Sequence, residues 1–177
     1  MKLLRESSLL CVIDVQERLV PAVLDGASVV DRCRRLAEGA RLLGVPAIVT
    51  EQYPQGLGRT VPELAAMLPP PLDKLSFSSC GAAGFSAAMP AGIGQVVICG
   101  LETHVCVAHT ALDLLATGRA VFLATDAISS RHPHDRDTAL RRLERAGCVP
   151  TTVEAVLFEW CRSAADPQFQ AVRRLVV

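Results

Sequence analysis

Six apolar runs of strand length punctuate the chain, and between them apolar residues recur at helical spacing. The first run, LLCVID at 9–14, is unbroken and ends in a carboxylate, the pattern of a parallel strand buried on both faces. Residues 28–43 put Val29, Cys33, Leu36, Ala37, Ala40 and Leu43 on one helical face, with Arg and Glu between them. Gly44 stops that helix, and VPAIVT (45–50) predicts the second strand. The stretch from 51 is rich in Gly and Pro and reads as a loop before a short helix at about 62–67. LDKLSFSS (72–79) predicts a third strand, followed by a short helix near 85–89. QVVICG (95–100) is the fourth strand, and 104–117 is a helix ended by Gly118. RAVFLAT (119–125) is the fifth strand, 134–146 an amphipathic helix, and CVPTTV (148–153) the sixth strand. One or two short helices close the chain.

Strands and helices that alternate at this spacing predict an α/β fold: one Rossmann-like domain over 1–177, with a six-stranded parallel sheet and helices on both faces. Ligands in such sheets bind at the carboxyl ends of the strands, where the strand order reverses. That rule selects Asp14 at the end of strand one, Lys74 in the third strand, and Gly100 to Cys106 after strand four.

Composition narrows the function classes. The formal net charge is zero and half the residues are apolar, which gives neither nucleic acid nor an anionic membrane surface a feature to recognise. The apolar runs fall far short of the roughly 20 residues that cross a bilayer. The amino terminus lacks the apolar core and cleavage site of a signal peptide, so a cytoplasmic location is expected. Seven cysteines are spread widely with no C-x-x-C pair, so neither a zinc cage nor a thioredoxin-type motif is predicted. GLGR (56–59) matches no phosphate-binding loop, and the histidines of RHPHD (131–135) have no metal-ligand spacing. No metal and no cofactor is expected. Arginines number sixteen against two lysines, Lys2 and Lys74, so a lysine inside the fold invites a specific reason. Lysine is the compact cation whose proton affinity responds to burial.

Cys106 opens the helix at 104–117, where free backbone N–H groups and the helix dipole favour an anion. The dipole alone is worth about 0.3–1 kcal/mol, too little to ionise a thiol with a pKa near 8.5 at neutral pH. A base and a cation are needed, and Asp14 and Lys74 are the candidates. Taken singly, Asp14 could cap backbone groups and Lys74 could be an exposed strand-end lysine. An activated Cys106 should be alkylated at pH 6–7 ahead of the other six cysteines. His104 and His109 are further candidates at the helix start. Tyr53 and Phe77 lie near the same edge but read more readily as packing residues, as does Trp160.

These residues resemble the isochorismatase-like cysteine hydrolases, a superfamily that includes nicotinamidases and N-carbamoylsarcosine amidase. LCVIDVQERL is similar to the first family motif, with Asp14 at the catalytic aspartate and Gln16 at the glutamine that follows. DKLSFSS resembles the lysine motif, with Lys74 at the catalytic position, and ICGLETHVCVAHTALDLLATG resembles the signature around the nucleophile, with Cys106 there. TEQYPQGLGRTVPEL (50–64) looks like the small isochorismatase-domain-containing subgroup. The resemblance implies a thiol hydrolase acting on a small molecule, with a cis peptide at Leu101–Glu102 and an oxyanion hole from the N–H groups of Glu102 and Cys106. It further implies Gln16, Gln52, Tyr53, Phe77 and Thr103 as substrate-binding positions and a homo-oligomer. Nicotinamidases carry an Asp/His metal cluster after the second strand; this chain has Glu51, Gln52 and Tyr53 there. Isochorismatases cleave a vinyl ether without the cysteine, and its presence here points to thiol chemistry instead; vinyl-ether cleavage is a lesser alternative, as is a binding or assembly module that retains the triad.

Overall fold

The computed structural model describes all 177 residues. Six parallel strands form one sheet in the order β3-β2-β1-β4-β5-β6. They are β1 (Ser8–Ile13), β2 (Ala47–Gln52), β3 (Leu72–Lys74), β4 (Gln95–Leu101), β5 (Ala120–Ser129) and β6 (Val149–Thr151). The order reverses between β1 and β4, and every residue of those two strands is buried. Their continuous apolar runs are therefore what a doubly covered sheet requires.

Strand alternation divides the core in two. Leu10, Val12, Val49, Val97 and Phe122 face one layer with helices α1 (Gly26–Leu43), α7 (Val153–Cys161) and α8 (Phe169–Val176). Leu9, Cys11, Ile13, Ile48 and Ile98 face the other. That second layer holds α4 (Phe85–Ala88), α5 (Ala108–Ala116) and α6 (Pro133–Arg145). Trp160 is fully buried in the first layer, the packing residue its composition suggested. Two single-turn helices, α2 (Pro54–Leu57) and α3 (Pro62–Ala65), lie between β2 and β3.

The predicted sheet and its six strands are present, with different bounds. The third strand ends at Lys74 rather than 79, because Ser76 and Phe77 turn their carbonyls to the Lys74 ammonium. The fifth runs to Ser129, past Asp126, whose carboxylate caps Val153 and pairs with Arg32. The sixth is shorter because Thr152 caps α7 through the Ala155 N–H. The segment expected to be loop contains α2. The helix expected over 104–117 begins as a π-helical turn, Thr103–Val107, before α5 takes over.

Gly100 shows why this edge of the sheet folds as it does. Its φ of +118° suits glycine, and a Cβ there would lie 2.0 Å from the Ile13 carbonyl oxygen. The chain leaving β4 can thus press against the end of β1 and bring the following turn over Asp14.

Candidate active site

At the carboxyl ends of β1, β2 and β3, the side chains of Asp14, Gln52 and Lys74 meet the turn that carries Cys106. Asp14 follows β1 with a left-handed φ of 51° and is wholly buried. Its Oδ2 accepts from Lys74 Nζ at 2.7 Å, and both side chains are 0% exposed. A buried pair of this kind is stable only when its remaining polar atoms are satisfied. Here they are: Thr50 Oγ1 donates to Asp14 Oδ1 at 2.8 Å, and Lys74 Nζ also donates to Gln52 Oε1 at 2.7 Å and to two backbone carbonyls. Lys74 is therefore not an exposed strand-end lysine, and Asp14 is no backbone cap.

Cys106 lies in the π-helical turn, 6% exposed, with Sγ 3.9 Å from Gln52 Oε1. Burial pushes its thiol up to about 12; the Asp14 carboxylate adds to the rise and Lys74 only partly counters it. This environment favours the neutral thiol over the thiolate that alkylation at pH 6–7 needs.

A string of hydroxyls joins the carboxylate to the helix of the cysteine. Thr50 Oγ1 lies 3.1 Å from Ser79 Oγ; the Ser79 N–H donates to Thr110 Oγ1 at 2.8 Å; Thr110 Oγ1 donates to the Cys106 carbonyl at 2.7 Å. All three residues are buried. Sequence reasoning missed them, and the signal was slight: a Thr closing an apolar strand, and a Thr one turn after the cysteine.

The remaining expected residues occupy different places. The Leu101–Glu102 peptide is cis. The Glu102 carboxylate accepts from the Arg131 N–H and Nε, and His104 Nδ1 sits 3.0 Å from Ser130 Oγ, so the turn is tied to the end of β5. His109 Nδ1 is engaged with the Val105 carbonyl and its ring lies tilted against Phe77, 5.8 Å between centroids. Neither ring is paired with the thiol. Tyr53 and Phe77, read as packing, are 50% and 54% exposed on the rim, beside Leu75 at 77%. Gln16 is fully buried, and its amide is taken up by the Gln52 carbonyl and N–H and the Gly58 carbonyl, so it ties loops together instead of facing a substrate. Thr103 is buried with an unpartnered Oγ1.

Glu51 faces the other side of the sheet. Its carboxylate accepts from the Thr60 N–H at 2.6 Å, from Thr60 Oγ1 and from Arg59 Nη1, both at 2.8 Å. Burial alone would raise its pKa; the bonds from Thr60 and Arg59 outweigh burial and hold it below the usual carboxylate range. A cavity of about 410 Å³ opens on that face, walled by Val49, Ala65, Leu68 and Pro69 to Pro71, away from the cysteine.

The isochorismatase domain model matches residues 8–155. The chain is 39% identical over 175 residues to mouse isochorismatase domain-containing protein 2A, covering 99% of this chain and 85% of that one. The structure named MAR1 ribonuclease from Caenorhabditis elegans superposes with a TM-score of 0.94 at 37% identity, over 99% of this chain and 92% of that one. Escherichia coli YcaC, described as an octameric hydrolase of unknown specificity, superposes at 0.86 with 27% identity, over 99% and 94% of the two chains. With the motif match, the fold and these likenesses in agreement, the chain belongs to the isochorismatase-domain family of hydrolase-like proteins.

Proposed function

We propose that this protein is a metal-independent cysteine hydrolase that cleaves the C–N bond of a small amide, ureido or imine-type substrate. The observation that carries the reading is the buried Lys74–Asp14 pair set beside the Cys106 thiol at the head of a helix. Asp14 takes the proton from Sγ as the sulfur bonds to the substrate carbon. The N–H groups of Glu102 and Cys106 receive the oxygen that becomes negative, and Lys74 holds Asp14 in place. The amine or ammonia departs with the proton from Asp14, leaving a thioester that water cleaves. Metal independence rests on the last residues of β2: Glu51 is committed to Arg59 and Thr60, and Gln52 to Lys74. YcaC is an octamer, and we read this chain as a homo-oligomer too. The nematode neighbour carries a ribonuclease name, but a net charge of zero offers an RNA backbone little purchase.

Ammonia release from a panel of small amides and ureides tests the reading. Cys106→Ala should lower turnover at least about 10³-fold, as loss of a covalent nucleophile does. Full activity in that variant would sink the thiol mechanism.

A further inference from the structure

The Lys74 ammonium has three hydrogens and four oxygens around it. These are Asp14 Oδ2 and Gln52 Oε1, both at 2.7 Å, Phe77 O at 3.1 Å and Ser76 O at 3.2 Å. With its side chain out of contact with solvent and four acceptors around it, this ammonium has no N–H left for a substrate. Gln52 supplies the one oxygen among the four that belongs to a neutral side chain. Its Nε2 donates to the Leu75 carbonyl at 3.0 Å, which fixes the direction of the amide: oxygen toward Lys74, nitrogen toward Leu75. The same Oε1 is 3.9 Å from Cys106 Sγ. The sulfur thus faces the lone pairs of a carbonyl, an arrangement that suits S–H and opposes S⁻.

We propose that Gln52 is a positioning residue that takes up a Lys74 N–H beside Asp14, and so holds Cys106 as a thiol in the free protein. Three groups at the strand ends bear on the sulfur: Asp14 after β1, Gln52 at the end of β2 and Lys74 at the end of β3. On the turn and helix of the cysteine itself, His104 is turned to Ser130 and His109 to the Val105 carbonyl. Gln52 is the member whose removal leaves both charges standing. The arrangement keeps the nucleophile inert toward chance electrophiles while the base stays beside it.

The inference rests on Cys106 being the nucleophile, but its test needs no substrate. The rate of iodoacetamide alkylation at Cys106 is followed against pH by peptide mass spectrometry, for the native protein, Gln52→Leu and Gln52→Glu. Loss of the carbonyl frees a Lys74 N–H for the sulfur, so the Gln52→Leu profile should move to lower pH by about one unit. The near-isosteric carboxylate of Gln52→Glu places a like charge beside the thiolate and should move the profile about one unit higher. Gln52→Met, of similar length, should follow Gln52→Leu and serves if the leucine variant does not fold. Profiles that coincide with the native one, or that both move the same way, overturn the proposal. A failure to turn over any amide would overturn the hydrolase reading while leaving this measurement to decide on Gln52.

Discussion

At the scale of single residues, the site places a proton acceptor and a cation against the same sulfur with opposite effects. Asp14 raises the thiol and Lys74 lowers it. Asp14→Asn should therefore alkylate faster at neutral pH than the native protein even as hydrolysis falls by about 10²-fold or more, the usual worth of a general base. Parallel measurements of alkylation and ammonia release check this; alkylation slowed in step with hydrolysis would contradict it. Lys74→Met removes the lowering charge and leaves a buried carboxylate unpaired, which should cost about 3–5 kcal/mol of stability in a denaturant titration. The buried thiol also links folding to pH. Its pKa lies above the unfolded value, so its contribution is complete below about 8.5 and fades as pH rises toward the folded value of about 12.

Among the elements, the carboxyl ends of β1, β2 and β4 carry most of the design. Gly100→Ala places a methyl on the Ile13 carbonyl at a φ that disfavours side chains, and should lower stability by well over about 1 kcal/mol. Thermal unfolding measures the loss. Glu51 anchors the loop at 57–60 to β2, and its lowered pKa fixes the sign of the pH effect. That stability is present above the unfolded carboxylate pKa and is lost as pH falls through the folded one. Glu51→Gln should thus destabilise at pH 7, and the gap from the native protein should narrow in acid; a constant gap would refute the role. Much of this level was legible in the sequence. Unbroken apolar runs ending in Asp14 and Gly100 mark buried strands, and reactive residue types at strand ends mark a site. The hydroxyls of Thr50, Ser79 and Thr110 were not legible, since their meaning lies in contacts among three separate elements. Nor was the end of β3, where the sequence continues as a strand but the ammonium of Lys74 draws the carbonyls away from the ladder.

For the whole molecule, the rim of the site is apolar and open: Tyr53, Leu75 and Phe77 stand in solvent on a single chain. Light scattering should find a dimer or larger assembly at micromolar concentration, and a monomer there would overturn the oligomer reading. No helix is long and apolar enough to cross a membrane. One short strand, β2, serves both layers of the protein at once. Thr50 points to Asp14 and Gln52 to Lys74 and the thiol, while Val49 and Glu51 point to the opposite layer. Substitutions read in order from 49 to 52 should therefore give phenotypes of period two: folding defects at one position, chemical defects at the next. In a random mutant library, neighbouring codons in this strand would fall to different selections, one for abundance and one for turnover.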